Sequence, residues 1–434
     1  MVKGWLYSWS VGSVAFGTTS LLTPLYVVEL GGDAFDLGIL AAVAAFVGIP
    51  GAVLFGKLAD RRGPRREYVL GALGVLAAMV VTIPMIDSIT LVIVANGAVW
   101  FAFAAAMPVL TMHAVSNASS NSWSERIAQL NKYQGVGWAF GLLLGTVWTG
   151  ATGLHVDSAE AIRTCFLAAG VLAVVGIVIG VRTIPPTTTG TPPKARRRIA
   201  VRRAGRFDIR SVTFPFTVSR ADIAGVNPRR FSSRFTPRLA VYFIAVVGIF
   251  TGFSAFFAPL PAFLTGVGFD TESIFLLYLI SSLSSAITFG TVGRLASVHD
   301  VPIIQAAGLF TRGIAFPIVA IIGIVLGAGL SGFVALIVVF SVIGVTWAII
   351  TVTAGTIVTA LAPVAIRGEA LGVYAALTAM AGGIGALLGG TIAAHDFFTS
   401  FLVAGTLIVV GALMVARLRG RVTSGGASWP DTPG

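Results

Sequence analysis

Charge is what this sequence has least of. Asp, Glu, Lys and Arg make up 11% of its 434 residues, against about 25% in soluble domains. The hydrophobic share is 56%. A soluble chain of this composition would have too little polar surface to stay dispersed, so a soluble globular protein is excluded. Cysteine is nearly absent as well. The single Cys165 cannot close an internal disulfide, and it lies in an apolar run where it reads as packing. There is no P-loop, no dinucleotide fingerprint and no cluster of metal ligands. Neither an enzyme nor a cofactor is expected, and energy for any uphill process has to come from a gradient. Carboxylates are missing where they would matter most: none of the 17 Asp and Glu falls in the middle of an apolar run.

What is present is length without charge. Apolar stretches near 5–29, 36–58, 67–86, 89–115, 127–151, 160–182, 239–265, 272–295, 302–326, 331–360, 367–393 and 397–417 each approach the ~20 residues that cross a bilayer. The first follows Lys3 and has no small-residue cleavage site, so it reads as a retained helix. An all-α membrane protein of twelve transmembrane helices is expected. One set of connections carries Lys57 through Arg66, Arg126, Arg294, Arg367 and Arg417. The other carries Glu29, Asp33, Asp36, Asp87, Asp157, Glu160, Asp270, Glu272 and Asp396, with Arg163 as its one cation. The positive-inside rule then places both termini in the cytoplasm of a multi-pass protein of the cell membrane.

Net charge is concentrated. Residues 183–238 hold thirteen Lys and Arg against Asp208 and Asp222, so +11 of the chain's +12 sits there. Next to membrane helices such a segment points to anionic lipid rather than nucleic acid. Its first part, 184–193, is Pro/Thr-rich and should be extended. The expected organisation is a six-helix bundle over 1–182, a basic cytoplasmic linker over 183–238, a second bundle over 239–418 and a tail over 419–434. An internal repeat agrees with two halves. A shift of 235 pairs Gly17 with Gly252, Pro24 with Pro259 and Gly31 with Gly266. A shift of 241 pairs Arg126 with Arg367, Leu130 with Leu371, Tyr133 with Tyr374 and Gly141 with Gly382.

The loop after the second span is the most specific motif. It reads Gly56-Lys57-Leu58-Ala59-Asp60-Arg61-Arg62-Gly63-Pro64-Arg65-Arg66. The pattern G-x-L-x-D-R-x-G-x-R-R resembles the loop between helices 2 and 3 of the major facilitator superfamily, in its drug-efflux-like subgroup. The resemblance implies two pseudo-symmetric six-helix bundles that rock about a central site. It implies that Asp60 closes a charge–dipole latch on the cytoplasmic side. Gly56 would allow close approach, Gly63 would shape the turn, and Arg65 and Arg66 would meet headgroups. It makes spans 1, 4, 7 and 10 the cavity lining, with Thr19, Thr23, Asn96, Trp100, Ser254, Phe257 and Trp347 as candidates. That set is neutral, hydroxyl-bearing and aromatic, which suits an apolar or amphipathic organic solute better than a highly charged one. Tyr133 and Gln134, polar residues in the fifth span, are further cavity candidates.

The chain departs from the drug:proton antiporters of that family at two points. Leu142 follows the central Gly141 of a Gly137/Gly141/Gly145 stripe, where those relatives carry Pro. Counting twelve residues back from Pro108 reaches Asn96, where they carry Arg. The glycines read as helix packing. Proton coupling remains open through Glu29, Asp36 or His113, and the coupling ion is not fixed. Arg312 stands half-way along the ninth span, where a cation costs at least ~2.5 kcal/mol to insert. It must face protein or water, binding an anion or satisfying helix carbonyls. The ninth span is peripheral in the family, which favours the carbonyls. The expected function is secondary transport of a small organic solute by a monomer, with export favoured. The alternatives are import or facilitated entry of a metabolite, anionic if Arg312 reaches the cavity, and a transporter-like receptor or scaffold using the linker.

Overall fold

The computed structural model describes residues 4–62, 65–115, 123–153, 155–184, 236–363 and 366–419. Side chains of residues 53, 56–62, 65, 115, 123–125, 127–128, 297 and 367–369 are outside that description, as are most of the linker and the tail. The described residues form α1 (Gly4–Glu29), α2 (Ala34–Arg62), α3 (Arg65–Thr82), α4 (Ile89–Val115), α5 (Trp123–Thr152) and α6 (Ser158–Thr183). These are followed by α7 (Pro237–Phe257), α8 (Leu260–Val267), α9 (Thr271–Val298), α10 (Val301–Leu326), α11 (Leu330–Leu361), α12 (Arg367–Ala393) and α13 (Phe397–Ala416). No strand occurs among the described residues.

Among the described residues eleven spans are long and apolar enough to cross a membrane, with α7 and α8 counted as one. The twelfth, α5, is diluted by glycine, threonine and tryptophan. One expectation needs correction. The seventh span was expected as one helix over 239–265. It breaks between Phe257 and Leu260, because Pro259 has no N–H to continue the ladder. Its second piece ends at Gly268, whose φ of 103° is the left-handed conformation glycine adopts without strain. Thr236 caps the start of α7 by accepting from the Leu239 N–H at 3.3 Å. Its hydroxyl also donates to the Leu361 carbonyl at 3.1 Å, tying α7 to the end of α11.

Packing repeats between the halves. In the first, α1 packs on α5 and α6, α2 on α4, and α3 on α4 and α6. In the second, α7 packs on α12 and α13, α9 on α11, and α10 on α11 and α13. This is one pattern executed twice, so the fold is two pseudo-symmetric six-helix bundles. The halves meet chiefly through α2 with α12 and α5 with α9. The contact is tightest near the acidic connections. A Cβ on Gly38 would lie 2.7 Å from the Ala386 carbonyl oxygen and 2.9 Å from the Gly390 Cα. A Cβ on Gly150 would lie 2.5 Å from the Glu272 carboxylate. Outward-facing Val94, Val171, Ile244, Ile324 and Val325 are exposed. A belt of this kind suits hydrocarbon, not water.

Candidate functional site

A cavity of about 1010 Å³ lies between the bundles, in contact with α5, α7, α9, α10 and α11. Its wall reaches Asn131 and Lys132 early in α5 and Phe289 late in α9, so it extends toward the membrane face that carries the chain's basic loops. A second cavity of about 340 Å³ adjoins it at mid-depth. The two share Trp138, Leu142, Ser254, Phe257 and Tyr278 as common wall. The near-continuous space closes at the other face, where Gly38 and Gly390 bring α2 against α12. A site open to one face and sealed at the other is what alternating access requires of each end state.

The wall is chiefly aromatic and hydroxyl-bearing. Phe250, Phe253, Phe257, Tyr278, Phe340 and Trp347 supply rings, and Ser254, Ser281, Ser282 and Ser285 supply hydroxyls. Among the described lining residues there is no carboxylate, whereas Lys132 and Arg312 are present. Arg312 is 2% exposed. Its Nη1 donates to the Ile343 carbonyl at 3.1 Å and to the Thr346 hydroxyl at 3.4 Å, both on α11. Its guanidinium carbon lies 4.6 Å from the Phe253 ring centroid, 5.4 Å from Trp347, 5.5 Å from Phe257 and 5.7 Å from Phe316. The two readings of Arg312 are therefore combined in one side chain: it satisfies a carbonyl and it reaches the cavity.

Among the expected cavity residues, Ser254, Phe257 and Trp347 line the large cavity, and Asn96 and Trp100 line the small one. Thr19 and Thr23 do neither. Both are buried, and their hydroxyls donate back along α1 to the Ala15 and Thr19 carbonyls. Tyr133 and Gln134 also turn away. Tyr133 packs edge-on against Tyr7 at 5.4 Å, and Gln134 accepts from the Trp9 indole N–H at 3.2 Å. The reason is the glycine stripe. Residues 133, 137 and 141 repeat every four positions, and that face of α5 lies on α1. There the Ser10 hydroxyl donates to the Tyr133 carbonyl and the Thr18 hydroxyl to the Gly141 carbonyl, both at 2.9 Å. The opposite stripe, Asn131, Gly135, Trp138 and Leu142, faces the cavity.

Residues missed from sequence include Trp138, Tyr278 and the serines of α9. Ser281, Ser282 and Ser285 stand in an otherwise apolar stretch, a polar stripe that was available as a signal. Of the latch residues, Gly56, Asp60 and Arg65 have side chains outside the description, and Gly63 lies outside it entirely. Arg66 is described. It donates to the Val181 carbonyl, one of the last free carbonyls of α6. Arg163, the one cation among the acidic connections, pairs with Asp87 at 2.9 Å. At that same face Asp396 caps α13. Its carboxyl is held below the usual range by hydrogen bonds from the Thr399 hydroxyl and N–H. No group of His, Cys, Asp and Glu able to hold a metal occurs among the described residues.

Twin helical bundles, an internal repeat and a one-sided cavity between them define a membrane transporter. The sequence matches the Major Facilitator Superfamily over residues 5–363, and the chain belongs to that family. No curated protein sequence matches it. Solved structures resemble it throughout. A mutant form of the nucleoside transporter NupG has a TM-score of 0.74 at 12% identity, covering 98% of this chain and 99% of that one. A mutant peptide transporter POT in complex with alafosfalin gives 0.71 at 16%, covering 97% and 94%. A bacterial homolog of the human lysosomal transporter Spinster, inward-facing and unoccupied, gives 0.66 at 12%, covering 97% and 95%. At such identities the likeness shows the fold.

Proposed function

We propose that this chain moves a small amphipathic organic solute across the cell membrane by alternating access, in the direction of export. The observation that carries the reading is the cavity of about 1010 Å³ walled by aromatic rings and serine hydroxyls. Its size and lining suit a drug-sized solute with an apolar body and few polar groups. Export rests on the Gly56–Arg66 loop and its resemblance to drug-efflux relatives. Both termini and the basic linker belong on the cytoplasmic side in this reading, and one chain suffices for a complete pathway. The linker then contacts anionic lipid and supplies no part of the pathway.

A second reading is import of an anionic metabolite, and its support is Arg312 at the cavity wall. The test is a screen of amphipathic solutes in proteoliposomes of known orientation, with and without an imposed pH gradient. Uphill movement from the face bearing the basic loops supports export. Uphill movement in the opposite direction supports import. No protein-dependent flux of any solute would leave the receptor or scaffold reading in place of both.

A further inference from the structure

We propose that Arg312 and Ser285 form an anion-recognition subsite, so that the transported solute is an organic acid. Its single anionic group would meet the guanidinium, and its apolar or aromatic body would lie against Phe253, Phe257 and Trp347. The inference rests on the reading of the cavity as the solute site and adds the solute's charge.

Three observations carry it. The first is two orphaned polar groups on one wall. Nε of Arg312 and Oγ of Ser285 are fully buried without a hydrogen-bond partner, and both residues line the large cavity. Arg312 is 2% exposed and Ser285 5%. A buried donor left unpaired is costly, so two of them on residues that line one cavity point to a ligand group that reaches in between the side chains to satisfy both. Nη1 is already held by the Ile343 carbonyl and the Thr346 hydroxyl, which fixes the guanidinium plane. The Nε edge of a guanidinium is one of those that accept a carboxylate side-on.

The second is the missing counter-ion. No described ion pair involves Arg312, and none of the 17 acids of the sequence lies mid-span. Asp300, the first acid along its own helix, is twelve residues away, or roughly 18 Å along the axis. The four aromatic rings stabilise the cation without neutralising it. The third is the sign of the whole cavity. Its described lining holds Lys132 toward the open end and Arg312 deeper in, and no carboxylate among the described residues, so these groups draw anions inward.

A purely structural Arg312, tying α10 to α11, would explain the bond to Ile343. It would not explain the orphaned Ser285.

The test uses the purified full chain in detergent and three probes with one aromatic body: naphthoate, naphthalenesulfonate and neutral naphthamide. Binding is read from the shift in unfolding midpoint with concentration. Both anions are expected to bind roughly tenfold more tightly than the amide. Arg312→Gln should abolish that preference. Ser285→Ala should weaken the anions and spare the amide. Equal binding of anion and amide to the unaltered chain overturns the proposal, as does a preference that survives Arg312→Gln. If Arg312→Gln does not fold, the unaltered chain and Ser285→Ala still decide. If the amide binds and the anions do not, the anion subsite falls while the amphipathic-solute cavity stands. If none of the three binds, both fall.

Discussion

The guanidinium of Arg312 stands 4.6 Å from the ring centroid of Phe253, so a cation on α10 and an aromatic ring on α7 meet at the wall of the central cavity. The contact explains how a mid-membrane cation is tolerated with no acid beside it. Phe253→Leu keeps the apolar volume and removes the ring. It is expected to lower stability by about 1 kcal/mol, the worth of a partly desolvated cation–π contact. The unfolding midpoint in detergent, compared with the same change at Phe250, checks this. Phe250 lines the cavity as well but is not among the rings around Arg312. Equal shifts at the two positions would remove the special role of Phe253.

Gly141 is one of the positions where α5 lies tightly on α1. A Cβ there would collide with the Val14 carbonyl and sit 2.6 Å from the Thr18 N. Gly141→Val should therefore destabilise the first bundle by about 1–3 kcal/mol. Gly74→Ala is the control, because nothing lies within 4 Å of a Cβ at that position. It should be neutral or slightly stabilising. Size-exclusion profiles after graded heating separate the two outcomes.

Much of the fold was legible because bilayer thickness sets helix length and leaves little freedom. Span limits read from hydropathy fall within a few residues of α1 through α13. The break at Pro259 was missed, since an apolar run continues across it and only the missing N–H betrays it. The site was less legible. Ser254, Phe257 and Trp347 line the large cavity on helices that the family pattern names. Tyr133 and Gln134 were misplaced because polarity alone does not fix a helix's rotation. The glycines at 137 and 141 set that rotation by packing on α1, and the same stripe carries Tyr133. Trp138 and Tyr278 gave no polar signal and needed the tertiary arrangement.

Gly38 and Gly390 let α2 and α12 seal one face of the cavity. Gly38→Trp should prop that face open and shift the population away from the state described above. In a chain with Ala41→Cys and Cys165→Ala, an impermeant thiol reagent added at that face should then label position 41 faster. Ala41 lines the small cavity, and the native Cys165 is fully buried. Unchanged labelling would mean that this seam is not the gate.

Asp60 belongs to the loop whose pattern resembles the family's cytoplasmic latch. Asp60→Asn keeps its shape and removes the charge. Losing about 1 kcal/mol of charge–dipole contact shifts a two-state balance roughly fivefold. Transport should fall by a similar factor while membrane levels hold. Unchanged flux at matched protein levels removes the latch.

Transport by this chain requires that one cavity open in turn to each face. Ser254 lines both the large and the small cavity, so it marks the point the two access routes share. The direct measurement is to place a single thiol there, Ser254→Cys with Cys165→Ala, and add an impermeant maleimide to one face at a time in oriented vesicles. Labelling is expected from the face of the basic loops and also from the opposite face. A solute or a bulky Gly38 variant should slow one route as it speeds the other. Labelling from one face only, under every condition that alters conformation, would contradict alternating access.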